Sequence, residues 1–214
     1  MKTQIRKSLW VLSMMLAFCA SKAQFNIKGG FGGGVVTGPV KIDNIGSRFT
    51  EAIDGKNLSG FEAGFFLKAQ IGRIYIKPMA MYGFRYGNVT YVSNADAAEQ
   101  TANFSLHKLE IPVMLGWKFL GPFFLEGGPS YNYIFSVTEK YNNYSLQVNP
   151  SALGYRVGLG AELGPIMLTV HYGGARYNSG NKATLSEPYK LIFGLGIILG
   201  GDEEVKDGNK KFEK

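Results

Sequence analysis

Cysteine is nearly missing from this chain. Cys19 is the only one in 214 residues, so no bridge can close within the chain and a small disulfide scaffold is excluded. Charge is sparse as well, at 18% of residues, and histidine occurs only as His107 and His171. After Gln24 no stretch sustains apolar residues at i, i+3, i+4 and i+7, so helices are not expected. No His/Asp/Glu cluster has ligand spacing, which leaves no metal or cofactor site to assign. Glycine and aromatics are abundant instead: 29 Gly, near twice the ordinary share of ~7%, with 15 Phe, 12 Tyr and 2 Trp. At 45% hydrophobic the chain is too apolar to be disordered throughout, and its length suits one domain.

The N-terminus reads as a targeting segment. Lys2, Arg6 and Lys7 form a positive n-region, Leu9 to Phe18 an apolar h-region, and Ser21-Lys22-Ala23 a cleavage site, which places a signal peptide over 1–23. A lipoprotein signal would use Cys19, but bulky Phe18 stands where a small residue is wanted. The apolar run is also far short of the ~20 residues of a membrane-spanning helix. The segment carries Lys2, Arg6, Lys7 and Lys22 and no acid, so cleavage lowers the formal charge from +7 to +3. The basic balance is therefore largely that of the signal, and no nucleic-acid partner is expected. The mature chain has no thiol, which excludes cysteine catalysis and suits an oxidising envelope compartment.

What replaces helical periodicity is alternation with period 2. From Leu58 to Gly72, Phe61, Ala63, Phe65, Leu67, Ala69 and Ile71 share one parity, while Glu62, Phe66, Lys68 and Gln70 share the other. The same holds for Ile74, Ile76, Pro78, Ala80, Tyr82 and Phe84 against Lys77, Met79, Met81 and Arg85. Leu109, Ile111, Val113, Leu115 and Trp117 oppose Lys108, Glu110, Met114 and Lys118, and Tyr155, Val157, Leu159 and Leu163 oppose Arg156 and Glu162. In each segment one face is free of charge. Phe25 to Val36, Phe123 to Ser136, Ile166 to Ala175 and Tyr189 to Leu199 fit the same template, which predicts eight strands.

The connections alternate in length. Short turns fall at Gly72-Arg73, Leu120-Gly121-Pro122 and Gly164-Pro165, and long polar links at Thr37 to Asn57, Gly87 to Asn103, Val137 to Ser151 and Arg176 to Pro188. Short turns on one side and long loops on the other are the mark of an outer-membrane barrel. The expected fold is all-β, an eight-stranded antiparallel transmembrane β-barrel over 24–199 with short periplasmic turns and long external loops, followed by a charged periplasmic tail over 200–214.

Energy orients the wall. Arg or Lys on the lipid face at mid-bilayer costs ~2–4 kcal/mol, so the charged parity must point inward. Eight strands leave an interior just wide enough for side chains to fill, which predicts a packed polar network and no open pore. Its charged members are expected to be Glu62, Glu110, Glu126 and Glu162 paired with Lys68, Lys77, Arg85, Lys108 and Arg156, with His171 among them. Inward glycines such as Gly64, Gly116, Gly128 and Gly158 would give these side chains room. Outward Tyr82, Phe84, Trp117, Phe119, Tyr131, Tyr133 and Tyr172 would form the interfacial girdles. A soluble lipocalin-type barrel would alternate too, with its apolar face inward. It would carry a dense polar outer face, whereas the polar parity here is diluted by Gly and Met.

Leu109-Glu110-Ile111-Pro112-Val113-Met114-Leu115, then Gly121-Pro122-Phe123-Phe124-Leu125-Glu126-Gly127-Gly128-Pro129, and Gly158-Leu159-Gly160-Ala161-Glu162-Leu163 resemble the outer-membrane β-barrel domain family abundant in Bacteroidota, of porin-like or PorT-like type. The resemblance spans about residues 24 to 199, and Pro78 within the third strand fits it. It implies the barrel fold and the outer membrane as location. Most members have no assigned activity, and PorT-like relatives are linked to protein secretion across the outer membrane. The chain departs from the general pattern of such barrels in ending on a charged tail and not on a strand-closing aromatic.

No catalytic residue stands out. His107 with Ser105 is the nearest approach to a lipid A deacylase pair, but the His-x-Ser order is lacking and no orienting acid is evident. Gly29-Gly30-Phe31-Gly32-Gly33-Gly34 is no phosphate cradle, because no helix follows it. The function expected is non-enzymatic, a structural or loop-mediated binding role in the cell envelope, with contacts at Tyr86 to Asn103 and Tyr141 to Ser151. The alternatives are a lipid A-modifying enzyme and a small-solute porin. Expected partners are outer-membrane lipids, the outer-membrane insertion machinery and an envelope or secretion protein.

Overall fold

The computed structural model describes residues 25–43, 53–92, 99–139, 150–177 and 184–200. The expected signal peptide, and the expected tail apart from Gly200, lie outside the described residues. Eight strands follow in order: β1 (Phe25–Asp43), β2 (Ile53–Ile71), β3 (Ile74–Val92), β4 (Glu99–Leu120), β5 (Phe123–Glu139), β6 (Ser151–Leu163), β7 (Ile166–Tyr177) and β8 (Thr184–Leu199). Each pairs antiparallel with the next, and β8 returns to β1 with Gly29 opposite Leu199. The sheet is a closed barrel with no free edge.

Three connections are two-residue turns led by a glycine: Gly72, Gly121 and Gly164, at φ 59°, 55° and 63°. Proline follows Gly121 and Gly164, and its ring fixes a negative φ. Glycine first and a negative φ second is the type II′ hairpin, whose twist matches that of the strands it joins.

At the opposite end the strands run further than alternation predicts. Links expected to begin at Thr37, Gly87, Val137 and Arg176 continue as strand to Asp43, Val92, Glu139 and Tyr177. The reason is physical. Only the membrane demands an apolar outward face, and beyond it ladder hydrogen bonds sustain strands that turn polar residues outward and Val40, Val89 and Tyr177 inward.

The apolar parity faces outward. Phe65, Leu67, Leu115, Leu153 and Leu195 are all exposed, and the same holds along every strand. A soluble monomer does not show so large an apolar surface, so the lipocalin-type orientation is excluded. Inside, bulky side chains are set against glycines of the neighbouring strand. Glu62 and Lys108 both lie opposite Gly83, Glu126 lies between Gly116 and Gly158, and Arg156 between Gly128 and Gly173. The room is needed: a Cβ on Gly116 would stand 2.0 Å from the Tyr75 ring.

Candidate functional site

The lumen holds the chemistry of this molecule, and it is stacked in layers. At the turn end Glu162 bridges Lys68 and Lys118. Above it Tyr75, Phe124, Phe66, Met167 and Ile198 form one apolar cluster with Met79, Met81 and Met114. Within that cluster Glu126 accepts three hydrogen bonds, from Lys77 Nζ at 2.7 Å, from His171 Nε2 at 2.7 Å and from the Tyr75 hydroxyl at 2.7 Å. One carboxylate thus satisfies three donors from two other strands, Tyr75 and Lys77 of β3 and His171 of β7.

The central layer is a continuous chain of ion pairs. Arg156 grips Glu62 bidentately, both bonds at 2.8 Å, and reaches Glu110 Oε1 at 2.9 Å. Glu110 also accepts from Lys190 and lies 3.5 Å from Lys108. Lys108 continues to Glu187, which accepts from Arg85 Nη1 at 2.6 Å. Arg85 in turn donates to the backbone carbonyls of Gly38 and Leu58. Planar guanidinium and carboxylate groups suit such bidentate contacts, and the shared partners offset the cost of removing seven charges from water.

All nine residues expected to form the lumen network therefore face inward, but they do not form one network. Lys68 and Glu162 sit at the mouth, Lys77 and Glu126 in the aromatic layer, and the other five in the centre. The central chain needs two residues the sequence reading did not include, Glu187 and Lys190, and the mouth needs Lys118. Arg85 is also paired differently from the expectation, with Glu187 and not with one of the four expected glutamates. The cause is a β-bulge. Lys190 lies opposite Gly173 but Glu187 opposite Ala175, three positions on β8 against two on β7. Pro188 and Tyr189 consequently face outward in succession, and Glu187 and Lys190, of opposite parity, both face in. A strict period of 2 cannot find such a pair. The signal available was an acid and a base either side of a proline, where a strand is most readily irregular.

The interior also departs from the expected polar filling at its loop end. There Val40, Leu58, Val89, Phe104, Leu106, Ile134, Tyr177 and Leu185 are buried together with Ala152 and Ala175. Among the described residues this apolar plug occupies the lumen on the loop side of the central ion pairs.

Outside, the girdle residues face lipid as expected, in two belts. Trp117 and Phe119 pack together near the turns. Near the loops, Tyr155, Tyr172 and Tyr189 form a row across β6, β7 and β8, the last two stacked at 9°. On β2 to β4, Phe84 contacts Phe61, Tyr86 and His107. His107 is thus a belt residue in the interior of β4. The Tyr82 hydroxyl lies 2.6 Å from its Nδ1, the position an orienting carboxylate would hold in a catalytic triad. Among the described residues no group of three His, Cys, Asp or Glu could hold a metal ion. Of the two segments expected to make external contacts, Tyr86 to Asn103 includes Tyr91, which belongs to β3, and Tyr141 to Ser151 includes Tyr144, which lies outside the described residues.

Comparison with known proteins agrees with this architecture. The family model described as "Outer membrane protein beta-barrel domain" matches residues 15–180. Among solved structures, the chain is similar to Neisserial surface protein A at 11% identity, covering 80% of this chain and 98% of that one with a TM-score of 0.49. It is similar to the outer membrane protein OprG from Pseudomonas aeruginosa at 15% identity, covering 83% and 96%, TM-score 0.49. A third is Ail, the attachment invasion locus protein of Yersinia pestis, at 10% identity, covering 81% and 99%, TM-score 0.45. A comparison with curated proteins finds no match.

Proposed function

We propose, from the premise that the chain belongs to the outer membrane protein beta-barrel domain family, that it is a closed, non-conducting and non-enzymatic barrel whose loop-side rim presents binding loops. Location in the outer membrane follows from the family, and the apolar outer wall is its physical counterpart. Short turns face the periplasm in such barrels, so the long connections are external. The observation that carries the reading is the filled lumen: ion pairs joined across its centre and an apolar plug above them. A wall this tightly filled is a rigid mount, and binding residues concentrate on loops held by rigid scaffolds. The insertion machinery of the outer membrane would be its partner during assembly.

Planar-bilayer recording tests the reading directly. The expected result is no stable conductance, and steady channels of large conductance would replace it with the porin alternative. For the enzyme alternative, His107→Ala should leave the lipid A profile unchanged by mass spectrometry; a lost product would restore that alternative. The likeness to PorT-like barrels supports a narrower version, in which the external loops engage a component of a secretion assembly. Deletion of the gene should then reduce secreted protein, and an unchanged secretome would remove that version while leaving the barrel reading intact.

A further inference from the structure

Two walls of the barrel leave the membrane in different ways. On the hairpin of β3 and β4 the outward face changes in steps. Tyr82 lies opposite Leu109, Phe84 opposite His107, Tyr86 opposite Ser105, Asn88 opposite Asn103 and Thr90 opposite Thr101. Across these five pairs apolar and aromatic residues give way to amides and then to hydroxyls with no formal charge; the nearest acids in register are Asp54 of β2, opposite Thr90, and Glu99, opposite Val92 one pair further out. Asn88, Thr90, Thr101 and Asn103 are all exposed. On the far wall the row above Tyr172 and Tyr189 is basic instead. Lys41 and Arg176 each lie opposite Ser186 of β8, one on either side, and both are exposed.

The height of the neutral ladder identifies what it meets. Aromatic belts mark the interface, and two residues along a strand advance it by about 7 Å. The Asn88–Asn103 pair therefore lies one step outside the belt formed by Phe84, Tyr86 and His107, still on the lateral wall and continuous with the lipid-facing surface. In the outer leaflet that level is occupied by headgroups. Amides, hydroxyls and an aromatic edge are the complement of a sugar, whose hydroxyls exchange neutral hydrogen bonds and whose C–H faces pack on rings. They are a poor complement of phosphate, which selects Arg and Lys.

We infer that the lateral face of β3 and β4 just outside the membrane, centred on Asn88 and Asn103, binds the sugar portion of an outer-leaflet glycolipid. Directly opposed residues stand about 5 Å apart at Cβ, so the two amides can both engage one pyranose ring. Tyr86 and Ser105 lie beneath them as the step toward the acyl chains. The site is lateral, and it stands whether or not the lumen conducts.

Native mass spectrometry of the full mature protein in detergent tests the inference, with dephosphorylated rough lipopolysaccharide as the sugar probe and phosphatidylglycerol as the phosphate probe. The wild type should retain the sugar probe in preference to phosphatidylglycerol. The double variant Asn88→Ala/Asn103→Ala should bind the sugar probe about tenfold more weakly, the loss of two neutral hydrogen bonds. Lys41→Ala/Arg176→Ala should bind it as the wild type does. A heat-dependent shift in gel mobility reports whether each variant has folded, and Thr90→Val/Thr101→Val serves as a second probe of the same face. Undiminished binding by both neutral-face variants, equal retention of phosphatidylglycerol by the wild type, or loss confined to the Lys41/Arg176 variant would each overturn the inference.

Discussion

The centre of the lumen and its periplasmic mouth hold the same kinds of groups in different surroundings. Arg156 at the centre is fully buried against Glu62 and Glu110. At the mouth Glu162 joins Lys68 and Lys118, but Glu162 retains 11% of its side-chain exposure and Lys118 24%. What differs is the alternative open to each charge when its partner is lost. A charge at the mouth can turn to water, whereas one in the centre has only protein around it. Ion pairs of one chemistry are therefore structural necessities in one layer and adjustable contacts in the other.

The largest test of that contrast is Arg156→Ala. It would leave Glu62 and Glu110 facing each other without the group that bridges them, at a cost of about 3–5 kcal/mol. Urea unfolding in lipid vesicles would measure it. A cost below about 1 kcal/mol would mean that water already reaches the centre, and the two layers would cease to differ. Combining Arg156→Met with Glu62→Gln should recover most of the loss, because Arg156 and its bidentate partner lose their charges together while Glu110 keeps Lys190 and Lys108.

A smaller loss should come from filling space between the layers. Gly116→Ala places a methyl group where the Tyr75 ring now lies, with the nearest ring atom 2.0 Å away. Overpacking of this kind costs about 1–3 kcal/mol. Tyr75 also donates to Glu126, so displacing its ring disturbs the carboxylate that Lys77 and His171 share. The expected result is a lower unfolding midpoint, relieved when Tyr75→Leu is added. If Gly116→Ala is neutral, the aromatic layer is loose enough for the mouth and centre to communicate through water.

The legibility of this design in the sequence follows the same division. Strand number, closure and the inward parity of Glu62, Lys77, Glu110 and Arg156 could be read because the bilayer imposes one rule along the whole of each membrane-crossing segment. Where the bilayer ends the rule ends. The strand extensions to Asp43, Val92, Glu139 and Tyr177 carry no outward apolar stripe and in sequence resemble loops, although Val40, Val89 and Tyr177 turn inward. Glu187 lies in such an extension and beyond a bulge, so two independent features hid it. The apolar plug was hidden differently. Leu58, Leu106, Ile134 and Leu185 face inward, and parity alone does not say whether an inward residue meets a charge or another hydrocarbon.

The smallest effect, and the finest test of the contrast, belongs to the mouth. Lys118→Ala removes one of the two cations on Glu162, which keeps Lys68 and has access to solvent. Partly exposed pairs contribute about 0–1 kcal/mol, so the expected loss lies within that range. Salt gives the result its meaning. Exposed charges are screened over a Debye length of about 10 Å at 0.1 M, while buried ones are screened far less. The difference between wild type and Lys118→Ala should therefore shrink as sodium chloride rises from 0.05 to about 1 M, whereas the deficit of Arg156→Ala should persist. If the two deficits respond to salt alike, the mouth is as dry as the centre, and burial is not what separates them.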